Sequence, residues 1–157
     1  MSSAFAAAPV KKNASLAIVV GGLVAGTLDL IQASILFGWK VPLIIAGGLL
    51  GERAFTGGAG TYILGVLLHF SIALSATTIY YIASRRLTFM PDHPLVCGLF
   101  FGMAVELVMS YVVLPLSALQ ARGPYRLHDI LVGLIVHMIV IGLPVAYSIR
   151  VFSRRLR

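Results

Sequence analysis

Four long apolar segments constrain this chain more than any other feature of its sequence. They cover residues 15–37, 60–83, 94–116 and 129–149. A helix needs about 20 residues to cross the ~30 Å hydrocarbon core of a bilayer, and each segment is long enough. Only 11% of the 157 residues are charged, whereas soluble domains are about 25% charged. The sequence therefore predicts an all-α integral membrane protein, a four-transmembrane-helix bundle that forms a single membrane domain over residues 1–157.

The placement of Lys and Arg predicts how the bundle is oriented. If the N-terminus is cytoplasmic, the cytoplasmic side carries Lys11, Lys12, Arg85, Arg86, Arg150, Arg154, Arg155 and Arg157, and the outer side carries Lys40, Arg53, Arg122 and Arg126. This excess follows the positive-inside rule, so we expect both termini in the cytoplasm. The C-terminal Arg154, Arg155 and Arg157 are also candidates for contact with anionic lipid headgroups. We accordingly expect the lipid bilayer, and no nucleic acid, as the partner of this basic chain.

The connection between the first two apolar segments is unusual. Residues 39–58 read WKVPLIIAGGLLGERAFTGG, which is apolar at the centre and rich in glycine. The stretch is too short to cross the membrane and return as two helices. It predicts a short interfacial or re-entrant helix at about 42–55, with Trp39 and Lys40 as interfacial anchors. Such a helix would cap the bundle, or form a lid over an outward-facing cavity.

Each apolar segment carries one ionisable residue near its middle. These residues are Asp29, His69, Glu106 and His137. A charged side chain at the bilayer centre costs about 2.5–3.5 kcal/mol on insertion scales, so such residues are candidates for function. Counted at ~1.5 Å per residue, all four lie about 12–15 Å below the outer boundary. Glycine or alanine lies one turn before each of them, which predicts one inward-facing layer close to the midplane.

Small residues along the same faces predict close helix packing. The candidates are Gly22, Gly26, Gly65, Gly98, Gly102 and Gly133, because residues without side chains let membrane helices approach closely. Residues 63–69 (ILGVLLH) also resemble residues 131–137 (LVGLIVH). The bundle could therefore consist of two duplicated helical hairpins, although chance similarity between apolar segments would produce the same pattern.

Several chemistries are open to the four-residue layer. Two imidazoles and two carboxylates can bind a divalent transition metal such as Zn, Fe or Mn, and His, Asp and Glu relay protons in membrane transporters. Bis-histidine ligation of haem b through His69 and His137 is a further alternative. The layer could instead serve only helix register, in a non-catalytic accessory or structural subunit of a larger membrane complex or in a homo-oligomer. The motifs of common hydrolases, ATPases and dehydrogenases do not occur, which argues against an enzyme without excluding one.

Five short stretches carry a resemblance to a known family. They are residues 26–29 (GTLD), 47–58 (GGLLGERAFTGG), 68–70 (LHF), 113–117 (VLPLS) and 136–144 (VHMIVIGLP). In these stretches, and over about 16–151 as a whole, the chain resembles the small, uncharacterised four-helix inner-membrane proteins of bacteria that include the YagU-like proteins. The resemblance implies a multi-pass protein of the bacterial inner (plasma) membrane, and it implies no catalytic residues.

Overall fold

Four apolar helices dominate the computed structural model, which describes residues 13–123 and 126–153. The first span is α1 (Ala14–Phe37) and the second is α3 (Gly58–Arg86). The third and fourth spans are Pro94–Leu116 and Leu127–Phe152, and all four are long and apolar enough to cross a membrane. The predicted all-α four-helix membrane fold is confirmed. The start and the end of each predicted segment lie within three residues of the start and the end of the observed span.

The third and fourth spans are not continuous α-helices. The third consists of α4 (Pro94–Val108), a π-helical segment (Met109–Val113) and α5 (Leu114–Leu116). The fourth consists of α6 (Leu127–His137), a π-helical segment (Met138–Gly142) and α7 (Leu143–Ser153). Each π-helical segment comes just before a proline, Pro115 or Pro144. Proline donates no hydrogen bond to the carbonyl four residues earlier and collides with it, and a local π-helical turn accommodates both effects.

Residues at the helix ends explain where the first span starts and stops. The Asn13 side chain caps α1 by accepting a hydrogen bond from the Leu16 amide at 3.0 Å. Gly38 follows the last turn with φ +84°, a conformation that favours glycine. The Asn13 amide also donates to the Phe152 carbonyl at 3.1 Å, which joins the start of the first span to the end of the fourth. We call this side of the bundle the terminal side.

The short helix predicted at about 42–55 is present at the opposite side. It consists of α2 (Val41–Leu50) and a 3₁₀ segment (Gly51–Thr56). Gly65 of α3 has no side chain at the point where the Pro42 carbonyl lies against it. Since Gly65 is seven residues after the first residue of α3, Gly58, the start of α2 lies about 10 Å along the bundle from the start of α3. The Ala118 amide donates to the Gly48 carbonyl at 2.8 Å, which joins α2 to the end of the third span. We call this the α2 side.

Glycine contacts and small side chains hold the spans together. A side chain at Gly22 would collide with Leu74, so α1 lies close to α3. Similarly, Gly98 lies against the backbone of Gly142, which brings the third span close to the fourth. Near the terminal side the interior is filled by buried Ala17, Tyr80, Ile141, Val145, Ala146 and Ile149. The bundle is therefore closed on its terminal side.

Candidate functional site

His69 is held against the first span by a hydrogen bond to main chain. Its Nε2 lies 2.8 Å from the Gly26 carbonyl oxygen. A carbonyl only accepts hydrogen bonds, so Nε2 carries a proton and donates it. Asp29, one turn further along α1, places Oδ2 at 3.9 Å from the same nitrogen. The bond to Gly26 thus sets both the tautomer of His69 and the distance from its ring to Asp29.

His137 lies between two carboxylates. Its Nδ1 is 3.1 Å from Glu106 Oε2 and 3.0 Å from the Gly133 carbonyl, one turn earlier in α6. Because that carbonyl only accepts, Nδ1 carries a proton that it shares between the two oxygens. The other ring nitrogen, Nε2, is 4.0 Å from Asp29 Oδ1. His137 therefore presents one nitrogen to Glu106 and the other to Asp29.

Glu106 is positioned from two sides. The Ser110 hydroxyl, one turn further along the third span, donates to Glu106 Oε1 at 2.9 Å. A side chain at Gly133 would lie only 2.6 Å from the same oxygen, so glycine makes room for the carboxylate. Ser110 and Gly133 together hold Glu106 against the His137 ring. The spacing of Ser110 puts it on the same helical face as Glu106, whereas its hydrogen bond follows only from the structure.

The four ionisable residues form one row, in the order Glu106, His137, Asp29 and His69. Successive members are 3.1, 4.0 and 3.9 Å apart. Their side chains retain between 11% and 20% of full solvent exposure, so the row is largely buried and yet not sealed. Three of them, Asp29, His69 and His137, reach the wall of a cavity. The row is accessible from that cavity.

The cavity has a volume of about 560 Å³ and lies between α3 and the third span. Its walls are mainly aliphatic, with Leu68, Ile72 and Ala76 on one side and Val105 and Val112 on the other. Ile44, Ile45, Gly48 and Leu49 of α2 border it as well. Near the terminal side α3 and the third span meet, where Tyr80 packs edge-on against Phe101 with ring centroids 4.9 Å apart. The cavity therefore belongs to the α2 side of the bundle.

Several Ser and Thr hydroxyl groups between the row and the terminal side are hydrogen-bonded to helix carbonyls. Thr77 donates to Ala73 at 2.8 Å, and Ser148 donates to Ala17 at 2.8 Å. Ser71 and Ser75 likewise donate within their own helix, to the carbonyls of Leu67 and Ser71. Among the described residues, these bonds do not join into a chain that could carry a proton from the row to the terminal side.

The row is not arranged as a metal site. Within residues 13–123 and 126–153, no group of three or more His, Cys, Asp or Glu residues could hold a metal ion. One nitrogen of each imidazole donates to a backbone carbonyl, Gly26 or Gly133, and therefore has no lone pair for a metal. The same two nitrogens are unavailable to a haem iron, so only the opposite nitrogen of each ring keeps a lone pair. The hypotheses of a bound transition metal and of haem b gain no support.

The six glycines predicted to pack helices all lie against other parts of the chain. At Gly22, Gly26, Gly65, Gly98, Gly102 and Gly133, an added β-carbon would meet atoms of another element within about 3 Å. These glycine faces are therefore used within the bundle and are not left exposed for docking on a partner. The predicted headgroup contacts of Arg154, Arg155 and Arg157 lie outside the described residues.

Three features of the site were not predicted from the sequence. They are the position of the cavity between α3 and the third span, the backbone carbonyl of Gly26 as a partner of His69, and the two π-helical segments. Pro115 and Pro144 are the sequence signal for the π-helical segments, since each comes just after one of them. The other two features depend on how separate helices meet. No protein-family model, curated protein or solved structure matches this chain.

Proposed function

We propose that this protein exchanges protons at the row Glu106, His137, Asp29 and His69, between the buried carboxylates and the cavity. The position of His137 carries the proposal, because each of its ring nitrogens faces a different carboxylate. Imidazole accepts a proton on one nitrogen and releases another from the opposite nitrogen. It also changes charge near neutral pH, which suits it to proton transfer.

The exchange step conserves protons at each stage. In the neutral ring Nδ1 carries the proton and Nε2 has a free lone pair. A proton delivered by Asp29 binds at Nε2, once the 4.0 Å gap between Asp29 Oδ1 and that nitrogen closes. Glu106 then takes the Nδ1 proton across the existing 3.1 Å contact. The net change is one proton moved from Asp29 to Glu106, and the neutral His137 ring is left with its proton on Nε2.

The membrane setting is part of the proposal. We propose a multi-pass protein of the bacterial inner membrane with both termini in the cytoplasm, of the kind that the YagU-like resemblance implies. The distribution of Lys and Arg supports this orientation. The α2 side and the cavity would then face the outer half of the bilayer. Assembly with further copies or with a larger membrane complex remains a separate proposal, and the packed glycine faces do not favour it.

Proton exchange at His137 can be measured directly. We would record ¹⁵N NMR spectra of histidine-labelled protein in lipid nanodiscs and follow the exchange between protonation states of each ring. Since a positioned acid or base accelerates proton transfer by about 10²–10⁴-fold, Glu106→Gln and Asp29→Asn should slow exchange at His137 by at least about 100-fold. Neutral His137 should carry its proton on Nδ1.

Asp129→Asn is the matched control, because Asp129 lies at the exposed end of α6 and contacts His128. It should leave exchange at His137 unchanged. Equal exchange rates in the wild-type protein and in Glu106→Gln would refute the proposal.

A further inference from the structure

The cavity beside the row has walls suited to an apolar molecule. Leu68, Ile72, Val105 and Val112 present aliphatic surface to it. Its volume of about 560 Å³ lies within the ~300–1,000 Å³ range of small-molecule sites. A water-soluble polar molecule would lose its hydration along these walls without gaining hydrogen bonds in return, which is unfavourable. The walls therefore favour a ligand that is largely hydrocarbon.

The rim of the cavity lies within the membrane. Ile72 is three residues from His69, so it lies only about 4.5 Å from the level of the row. Ile72 is 39% exposed, and Val112, across the cavity in the third span, is 47% exposed. Apolar side chains exposed at this depth of a spanning helix contact lipid chains. A ligand dissolved in the bilayer can therefore enter between α3 and the third span.

Asp29 supplies the polar feature of the cavity wall. Its two oxygens lie 3.9 and 4.0 Å from the imidazole nitrogens of His69 and His137, which is beyond hydrogen-bonding distance. The Asp29 side chain retains 15% exposure and lines the cavity. A carboxylate accepts hydrogen bonds through two oxygens. An occupant with an O–H or N–H group at this point would satisfy acceptors that the two histidines do not reach.

We infer that the cavity binds a membrane-soluble amphiphile whose head donates a hydrogen bond from O–H or N–H to Asp29. Its hydrocarbon chain lies between α3 and the third span, beneath α2. This inference rests on the proposed function, because it makes the occupant's head a neighbour of the proton-exchanging row. A pure hydrocarbon would contact the same aliphatic walls but would give Asp29 no hydrogen-bond donor. The donor head therefore distinguishes the proposed ligand from a hydrocarbon.

The test uses photolabelling of the full-length protein in phosphatidylcholine nanodiscs. The probe is a long-chain primary alcohol with a diazirine in mid-chain, and labelled peptides are identified by mass spectrometry. Hexadecan-1-ol and hexadecyl methyl ether serve as competitors, since they share the chain and oxygen and differ in the O–H donor. A hydrogen bond to a charged acceptor corresponds to about tenfold or more in affinity, so the alcohol should compete at least about tenfold better.

Two matched substitutions locate the label. Ala76 lines the cavity, and Ala104 is exposed to lipid on the third span and does not line it. Ala76→Phe should therefore abolish most labelling of α3 and the third span, whereas Ala104→Phe should leave it unchanged. Asp29→Ala should remove the preference for the alcohol over the ether, because alanine has no acceptor.

The outcomes separate this inference from the proton-exchange proposal, since labelling needs no proton movement. Equal competition by the alcohol and the ether in the wild-type protein overturns the inference. Because this comparison uses only the wild-type protein, it does not depend on whether a variant folds. Labelling that Ala76→Phe and Ala104→Phe affect equally overturns it too, because the probe then reports general lipid contact. Crosslinks between copies in place of cavity labelling would overturn it by showing a second chain covering the cleft. Alcohol-selective labelling together with unchanged exchange in Glu106→Gln would uphold this inference and refute proton exchange.

Discussion

Tyr80 is the largest fully buried side chain in the closed half of the bundle. Its ring packs against Phe101, while its hydroxyl has no hydrogen-bond partner among the described residues. Burying a hydroxyl without a partner is unfavourable. The ring of Tyr80 therefore stabilises the packing of α3 on the third span, and its hydroxyl opposes it.

We predict that Tyr80→Phe raises the free energy of unfolding by about 1 kcal/mol, because the substitution keeps the ring and removes an unsatisfied polar group. Reversible unfolding in mixed detergent micelles, followed by circular dichroism, measures the change. Tyr147→Phe is the control, since Tyr147 is 45% exposed. A loss of stability in Tyr80→Phe would show that the hydroxyl is hydrogen-bonded in the membrane.

Gly65 acts through the absence of a side chain. An added β-carbon would meet the Pro42 carbonyl, which belongs to the backbone and cannot rotate away. We predict that Gly65→Ala destabilises the protein by about 1–3 kcal/mol, the usual range for overpacking. Gly60→Ala is the matched change in the same helix, where an added β-carbon meets nothing within 4 Å. It should gain up to about 1 kcal/mol from helix propensity. The same unfolding measurement compares them, and similar effects would contradict the close contact between α2 and α3.

Among the elements, the two π-helical segments bear most directly on the site. One begins three residues after Glu106, and the other begins directly after His137. Such segments often occur at functional sites. Both π-helical segments lie in the two spans that supply the Glu106–His137 contact. The helices that supply Asp29 and His69, α1 and α3, are continuous. The two hairpins thus differ in helix geometry, although residues 63–69 and 131–137 are similar.

The short helix α2 borders the cavity, and its contact with the end of the third span can be tested. A β-carbon at Gly48 would lie 3.8 Å from Ser117 Cβ, which equals the typical separation of about 3.8 Å across a disulfide. We predict that Gly48→Cys with Ser117→Cys, in a Cys97→Ser background, forms a disulfide on mild oxidation. Gel mobility after protease cleavage between the two sites reports the bond.

Gly60→Cys with Ser117→Cys is the control pair for this experiment. Gly60 has no neighbours within 4 Å of an added β-carbon, so this pair should remain reduced. Failure of the Gly48 and Ser117 pair to close, with the protein folded, would show that α2 does not rest on the end of the third span.

Considered as a whole, the molecule is closed at one side and open at the other. Small and aliphatic side chains fill the terminal side, where Tyr80 and Phe101 bring α3 and the third span together. Toward α2 the same two spans enclose the cavity. The ionisable row lies where the open half meets the closed half. A ligand or proton that reaches the row from the cavity therefore meets a packed barrier beyond it.

The orientation of the whole molecule is a testable prediction. Because the sequence places eight of the twelve Lys and Arg residues on the side of the chain termini, the terminal side should face the cytoplasm. A green fluorescent protein fused after Arg157 should fluoresce, and alkaline phosphatase at the same position should be inactive. Alkaline phosphatase inserted after Arg122, in the connection between the third and fourth spans, should be active. The opposite pattern would place the cavity on the cytoplasmic side.

Much of the architecture was predictable because it depends on properties of single segments. Length and hydrophobicity decide whether a helix can cross a membrane, and the four spans follow from them. The helical rise and period also allowed the depth and face of Asp29, His69, Glu106 and His137 to be counted within each span. The short helix near Pro42 followed from a connection that is apolar at its centre and too short to cross the membrane twice.

The sequence by itself thus determined four spans and a short helix between the first two, and it predicted a common depth for the four ionisable residues. Only the tertiary structure decided the order of the row, the tautomers of His69 and His137, and the cavity between α3 and the third span. These depend on contacts between residues far apart in the chain, such as His69 with Gly26 and Ser148 with Ala17. Local periodicity specifies which face of a helix is polar, whereas the angle and distance between helices arise from the packing of all their side chains together.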